Sequence, residues 1–351
     1  MRVKLPINYD PIIKYECWTF FRTSIISAYP ELEDWFVNHL NDICITSQYD
    51  CDFGTNGRKY NIVSHYEQAL EFIELTFSSF NEKNIIEKLS GYLNDGLYVI
   101  IDIDSSKIYT DIEESFVAQF LIYGYDDEKQ VFFSPSIYDG YWHEIEIKWC
   151  DFIKAFNVRK SFDKDKILTT TSRQNPFPIL LIKPRKDIDQ NILLSCFYNE
   201  IRDTLQQSHE IYQRKNEGLS FRQGVLGVYE GLAEMLLKIY NKALTLEELG
   251  YDHSLHTGFF KVYEFVKMFS KRLEAVDKSF DLGIPEKIHR KIQNLIQSSE
   301  VNKNLVLKYL TESDDGILLR ISEHLHNDKT ILESIYKELL QIIIERFTGE
   351  R

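Results

Sequence analysis

The sequence lacks the features that mark several common protein classes. It has no apolar run close to the roughly 20 residues that a membrane-spanning helix requires. Its first residues, MRVKLPINYDPIIKYEC, lack the continuous apolar core of a signal peptide. The five cysteines are odd in number, widely separated and contain no Cys-x-x-Cys pair, which argues against a zinc knuckle and a disulfide framework. We therefore expect a soluble, cytoplasmic protein, and no motif predicts a cofactor or a metal.

Basic residues are also in deficit. The 41 Lys and Arg residues against 54 Asp and Glu residues give a formal net charge of −13. Such a surface repels nucleic-acid phosphates and anionic membranes, and no basic stripe compensates, so neither is an expected partner. Apolar residues, in contrast, make up 44% of the 351 residues, which is enough for a sizeable core, and the length suggests two domains.

The amino-terminal part is predicted to mix helices and strands. Residues 1–16 form an extended lead-in, because Pro6 and Pro11 discourage helix. From Cys17 the sequence CWTFFRTSIISAY favours a short helix that ends before Pro30, and a second helix follows. A helix at 81–94 precedes a strand at 97–103, LYVIIDI, which is dense in β-branched residues. Shorter strands are predicted at 60–63 and 72–78.

The segment 116–135, FVAQFLIYGYDDEKQVFFSP, is predicted to be a hairpin. Its apolar strand at 117–123 is followed by a Gly-Tyr-Asp-Asp-Glu turn and a second strand that ends at Ser134 and Pro135. A strand at 141–147, a helix at 149–156 and a last strand, ILLIKP, come next. The three acidic residues of the turn are interpreted as solvated rather than as metal ligands. Asp102 and Asp104 share one face of their strand and are expected to be exposed.

From Asp187 onward the pattern is almost wholly helical, with glycines and Pro285 at the predicted helix ends. Gly224, Gly227 and Gly231 are spaced for close helix contact and not for phosphate binding, because they follow no strand. We therefore predict an α+β domain over 1–184 and an all-α domain over 185–351. The predicted helices are 188–213, 221–240, 256–276, 285–298, 302–312 and 316–346.

Cys17 is the candidate nucleophile. A cysteine at a helix start has its thiolate favoured by the helix dipole and by unpaired N–H groups, which lowers the thiol pKa. A histidine on a facing strand and a carboxylate on the next strand would complete a papain-type site. The alternative interpretation is that Cys17 is a small buried apolar residue.

Residues 12–160 resemble the family named after the N-terminal domain of butirosin biosynthesis protein H, which is related to the papain-like domain of bacteriocin-processing cysteine peptidases. The resemblance is carried by Cys17 at its helix start, by the segments GLYVIIDID (96–104) and LIYGYDDE (121–128), and by the helix at 149–156. The segments GVLGVYEGLAEML (224–236) and HTGFFKVYEFVKMF (256–269) look like those that follow this domain in long family members.

The resemblance implies a papain-like fold and acyl transfer. An acyl group would pass from a carrier-protein thioester, or from a small-molecule acyl substrate, to Cys17 and then to an amine. The sequence departs from the family pattern at the other site positions. The family histidine aligns with Ala118, or with Gln119 if the register moves by one, and the family aspartate aligns with Ser134. None of these three residues can replace a catalytic base.

Two histidines are candidates for the missing base. His143 lies on the predicted strand YWHEIEI near Glu144 and Glu146, and His65 is the second candidate. Gln119 is a candidate for an oxyanion hole, which amide side chains can line.

Two hypotheses follow. The first is a thiol acyltransferase or amide-forming protein of antibiotic or other secondary-metabolite biosynthesis. The second is a catalytically degenerate papain-like domain that serves as a binding or scaffold protein. Proteolysis is a weaker third hypothesis, because the position of the family histidine holds Ala118 or Gln119 and the sequence has no secretion signal.

Overall fold

The computed structural model describes residues 1–14, 17–39, 43–49, 51–53, 66–109, 114–138, 141–161, 179–186, 188, 192–207, 211–213, 220–249 and 253–348. They form a mixed α and β protein with two compact units. The first unit comprises Met1–Leu32 and Tyr66–Ile188, and the second comprises Glu33–His65 and Asp189–Arg351. None of the described helices is both long and apolar enough to span a membrane. His65 and the predicted strand at 60–63 lie outside the described residues.

A four-stranded antiparallel sheet, here called the central sheet, organises the first unit. Its strand order is β4 (Leu70–Leu75), β10 (Ile179–Pro184), β5 (Tyr98–Asp104) and β6 (Val117–Ile122). Every residue of β5 is buried, which suits its β-branched sequence because such side chains pack well on a pleated surface. The predicted strands at 97–103 and 179–184 are confirmed.

The segment 116–135 differs from the predicted hairpin. Strand β6 pairs with β5, and the Gly-Tyr-Asp sequence is not a turn but strand β7 (Gly124–Asp126). β7 pairs with β8 (Val131–Tyr138), so the turn lies at residues 127–130, where Gln130 has φ +54°. β1 (Arg2–Lys4) and β9 (Tyr141–Lys148) complete a second sheet, here called the hairpin sheet, of order β1-β7-β8-β9. The chain thus changes sheets at Tyr123, which an apolar pattern alone does not reveal.

Helices α3 (Ile85–Asn94) and α4 (Trp149–Ser161) contribute to the core on one side of the central sheet. α3 buries residues at i, i+4 and i+8, and it ends just before Gly96, whose φ of +77° suits glycine. The strands contribute alternate side chains to this core, namely Val99, Ile101, Ile103, Phe120 and Ile122. The helices predicted at 81–94 and 149–156 are confirmed with shifted ends.

The second unit is not wholly helical, contrary to the prediction. It contains a third sheet of order β11 (Ile211–Gln213), β12 (Ser220–Gln223), β2 (Ile43–Thr46) and β3 (Cys51–Phe53). Because β2 and β3 pair with the C-terminal strands, residues 33–65 group with the second unit, whereas the predicted division assigned them to 1–184. Strands of three or four residues are too short to show a clear period of two.

The helices of this unit include α2 (Glu33–Asn38), α5 (Leu194–Gln207), α6 (Gly224–Tyr240), α7 (His253–Phe280), α8 (Glu286–Glu312) and α9 (Asp315–Thr348). Pro285 directly precedes α8, as expected of a helix start. The helices predicted at 285–298 and 302–312 are one continuous helix. The sequence between them, Ser-Ser-Glu-Val-Asn, contains neither glycine nor proline to end it.

Helix α6 approaches β2 closely at Gly231. A β-carbon added at this position would lie 2.7 Å from Cγ2 of Ile45. A larger residue would therefore force the helix and the strand apart. The close contact predicted at Gly231 is thus made with a strand and not with a helix. The expectation that Gly224, Gly227 and Gly231 follow no strand is wrong, because β12 ends directly before Gly224.

A buried ion pair joins α5 and α7. Arg272 Nη1 donates to Glu200 Oε2 at 2.6 Å and to Oε1 at 2.8 Å, and the two side chains are 1% and 2% exposed. Arg272 Nη2 also donates to the His39 carbonyl oxygen at 3.3 Å. Removing one charge of such a pair leaves the other buried and uncompensated.

Replacing Glu200 with Gln should therefore lower the free energy of unfolding by about 3–5 kcal/mol. The matched control is Glu33→Gln, because Glu33 pairs with Lys271, the residue next to Arg272, and those side chains are 59% and 36% exposed. An exposed pair contributes less than about 1 kcal/mol. Urea unfolding measures the free energy of unfolding of both variants. Equal decreases would contradict the larger contribution expected of the buried pair.

Candidate functional site

Helix α1 (Cys17–Ile26) begins at the candidate nucleophile, as predicted. Cys17 is exposed, and none of the five cysteines, all within the described ranges, forms a disulfide. The N–H groups and dipole at a helix start favour the thiolate form. The alternative of a small buried residue is wrong, and a reagent in solution can reach the thiol.

Most of α1 lies against the face of the central sheet opposite α3 and α4. The hydroxyl of Tyr29, just after the helix, lies 3.0 Å from that of Tyr98 at the start of β5. The guanidinium of Arg22 lies 5.9 Å from the Phe72 ring on β4, and α1 also packs on β6. Because the end of α1 lies near the start of β5, the helix start lies toward the other end of β5.

Near that end of β5, Asp102 lies opposite Gln119 of β6.

Asp102 and Gln119 form a polar pair on the sheet face that α1 covers. The adjacent residues Ile101 and Ala118 point into the core on the other face. Asp102 is 8% exposed, and Gln119 Oε1 is buried without a hydrogen bond to any described residue. Of the two residues that the resemblance aligns with the family histidine, Gln119 thus lies on the α1 side.

The prediction that Asp102 and Asp104 are exposed is wrong, since Asp102 is 8% and Asp104 0% exposed. Asp104 accepts hydrogen bonds from Ser115 Oγ (2.6 Å), Ser106 N (3.0 Å) and Phe116 N (3.2 Å). Burial by itself raises the pKa of Asp104, but these hydrogen bonds outweigh it and lower the pKa. Asp104 therefore has a structural role.

His143 lies on β9 beside Trp142, and the two side chains point to opposite faces of the strand. The Trp142 ring stacks on Phe20 of α1 with ring centres 3.7 Å apart. His143 therefore points away from α1. It is exposed, and its Nδ1 lies 3.4 Å from the Tyr141 carbonyl oxygen. The structure does not bring His143 together with Cys17.

Few other candidates for the base remain. The sequence of the first unit contains no histidine besides His143. Ser134, aligned with the family aspartate, is fully buried on β8 and donates to the Pro135 carbonyl oxygen at 3.3 Å. Neither position of the family dyad therefore holds a titratable group.

The backbone just before Cys17 is held by Trp142, whose Nε1 donates to the Lys14 carbonyl oxygen at 2.9 Å. Together with the stack on Phe20, this bond connects the helix start to β9. Sequence reasoning gave Trp142 no role. Its indole N–H and its position next to His143 were the only available signals.

Sequence reasoning also missed a series of hydrogen-bonded side chains on the face of β9 that bears Trp142. Tyr9 and Tyr123 share a hydrogen bond of 2.7 Å between hydroxyls, Tyr123 donates to Glu144, and Lys4 Nζ lies 2.7 Å from Glu144 Oε1. Burial raises the pKa of Tyr9 to about 12, and burial and the bond to Glu144 raise that of Tyr123. Burial opposes a low pKa at Glu144, but the bonds from Lys4 and Tyr123 lower it. Glu144 is thus hydrogen-bonded to Tyr123 and Lys4. It cannot orient His143, because neighbouring residues of a strand point to opposite faces.

Of the three acidic residues predicted to be solvated, Asp126 is instead buried at the end of β7, with 8% of it exposed. It stabilises the turn that connects β7 and β8. Asp126 accepts from the backbone N–H groups of Glu128 at 3.0 Å and Lys129 at 3.2 Å, and Asp127 pairs with the Met1 amino group at 3.5 Å. Among the residues that the structure describes, no three His, Cys, Asp or Glu side chains form a metal-binding group.

The chain matches no model of a known protein family and no curated protein. The family resemblance therefore depends on the sequence segments quoted above, and the function must be argued from the site.

Asp104→Asn tests the structural role of this buried carboxylate. Losing its charged hydrogen bonds should lower the free energy of unfolding by about 2 kcal/mol at neutral pH. Because the folded-state pKa lies below the ordinary value of 3.8, this stabilisation is present above that pH and is lost as the pH falls below it. Urea unfolding at neutral pH and near pH 3 should show the difference between variant and wild type shrinking in acid.

The control for this variant is Asp127→Asn, whose carboxylate is 45% exposed and which should cost less than about 1 kcal/mol. A wild-type and Asp104→Asn difference that stays constant with pH would contradict the assignment.

Proposed function

We propose that this chain is a thiol acyltransferase of secondary-metabolite biosynthesis, with a papain-like fold in the first unit. In this proposal, Cys17 accepts an acyl group from a carrier-protein or small-molecule thioester in the cytoplasm. The observation that carries it is an exposed cysteine at the first residue of a helix, with the body of that helix against a sheet face that bears the polar residues Asp102 and Gln119.

The first half-reaction needs a thiolate and a thioester. The Cys17 thiolate attacks the carbonyl carbon, a new carbon–sulfur bond forms, and the thiol of the carrier leaves as a thiolate. The position at a helix start supports the thiolate without an adjacent base. In this proposal the Nε2 group of Gln119 donates to the developing oxyanion, as amide N–H groups can.

The second half-reaction needs a proton acceptor. An amine attacks the acyl–Cys17 thioester, the amide bond forms, and Cys17 leaves as a thiolate. The amine loses one proton, which Asp102 accepts and later releases to water. A carboxylate can act as a base when it is positioned at the reacting atom, and Asp102 is a buried carboxylate that lies opposite Gln119.

A second candidate function is a binding or scaffold module on the same fold. One observation that favours it is that His143 lies on the opposite face of β9 from Trp142, whose ring stacks on α1. The other is that the sequence of the first unit contains no further histidine. Such a module would keep the surface around Cys17 and lose turnover.

Alkylation against pH separates the two candidates. In a Cys150→Ala background, which removes the other exposed cysteine, iodoacetamide should label Cys17 with a midpoint below about pH 7, because the helix start lowers the thiol pKa. Intact mass counts the adducts, and Cys17→Ala should abolish the labelling at low pH. A midpoint near the ordinary thiol value of about 8.5 would favour the binding module.

Acyl loading tests the assignment of Asp102. Incubation with an acyl N-acetylcysteamine thioester should add one acyl group at Cys17. Asp102→Asn should still load, but transfer to an added amine should slow by about 100-fold or more, as expected for loss of a general base. Asp127→Asn, an exposed acid on a turn, is the matched control and should behave as wild type. Unchanged transfer in Asp102→Asn would exclude Asp102 as the base.

A further inference from the structure

A buried polar cluster lies between helices α6, α8 and α9 of the second unit. It consists of Tyr229 on α6, Ser298, Ser299 and Asn302 on α8, and Asp328 on α9. Asp328 is 2% exposed. Its Oδ2 accepts from Ser298 Oγ at 2.7 Å and from Asn302 Nδ2 at 3.4 Å. Both donors thus approach the same carboxylate oxygen.

Two further hydroxyls of the cluster are unsatisfied. Tyr229 is 1% and Ser299 2% exposed, and neither hydroxyl makes a hydrogen bond of acceptable geometry with any residue that the structure describes. The two groups are neighbours, and the Asp328 charge acts on Tyr229. Buried polar groups without a protein partner commonly contact a bound water or ion.

The negative charge of Asp328 has no cationic partner among the described residues. The adjacent Lys329 pairs with Glu230, so those charges compensate each other. His324 Nδ1 lies 2.9 Å from Asn302 Oδ1 and does not contact the carboxylate. Asp328 also lies in the middle of α9, where a helix terminus has no influence. Burial accordingly raises the pKa of Asp328 to about 6.

We infer that this cluster binds one monovalent cation, held by oxygen atoms of Asp328, Tyr229 and Ser299. All three ligands are hard oxygen donors, which suit alkali and alkaline-earth ions rather than transition metals. One carboxylate balances a single positive charge. A calcium ion would bring an excess charge and requires six to eight oxygen ligands. A water molecule would satisfy the hydroxyls but would leave the buried charge uncompensated.

Thermal unfolding of the full chain in matched salts tests this site. At about pH 8, the Tm should be about 3 °C higher in sodium chloride than in choline chloride of equal concentration. Choline is the control for ionic strength, because any salt screens the repulsion within a chain of net charge −13. Potassium chloride measures the size preference. A sodium NMR line broadened by the protein would report binding directly.

Three variants make the result specific. Asp328→Asn keeps the shape and removes the charge, so the sodium-dependent shift in Tm and the line broadening should disappear. Ser299→Ala should reduce both, while Glu338→Gln, a more exposed carboxylate on the same helix, should leave them unchanged. Equal Tm values in sodium, potassium and choline, or broadening that persists in Asp328→Asn, would overturn the inference and leave water as the occupant.

Discussion

Strand β5 is buried on both faces, and the arrangement of the first unit follows from covering both of them. Its odd-numbered residues pack with α3 and α4, and its even-numbered residues face α1. A strand of this kind accepts apolar side chains on each face. Asp102 and Asp104, near the C-terminal end of β5, are the exceptions. The Asp104 carboxylate accepts three hydrogen bonds. Asp102 is left as the buried carboxylate beside Gln119, so the candidate site arises where the covering of β5 becomes polar.

The N-terminal segment fixes α1 on that face. Leu5 N donates to the Tyr123 carbonyl oxygen at 2.8 Å, and Thr23 Oγ1 donates to that of Ile13 at 2.7 Å. Trp142 holds the Lys14 carbonyl oxygen from the other side. These bonds join the backbone on both sides of Cys17 to elements with their own buried contacts. A nucleophile held by rigid elements keeps its geometry better than one on a loop.

The parts of the fold that depend on local pattern could be predicted, and those that depend on pairing could not. The strand at 97–103 follows from its β-branched residues, and the start of α1 follows from helical spacing before Pro30. The change of sheet at Tyr123 and the pairing of 33–65 with the second unit are long-range choices that leave no local signal. The burial of Asp102 is of the same kind, because it depends on where α1 packs. Sequence alone therefore proposed Cys17 and His143, but it could not show which side chains share the sheet face that α1 covers.

The buried carboxylates of this chain are stabilised in different ways. Glu200 is neutralised by Arg272, which compensates its charge directly. Asp104 has no described cation at its carboxylate, yet three donors converge on it and lower its pKa. At Asp328 two donors share one oxygen, the hydroxyls of Tyr229 and Ser299 lack a well-formed hydrogen bond to any described residue, and burial raises the pKa of Asp328. The free-energy cost of burying a charge is thus offset by protein groups at Glu200 and Asp104, but not at Asp328. Binding an ion stabilises a fold where a buried charge lacks an opposite charge, because the ion then supplies the compensating charge that the side chains do not.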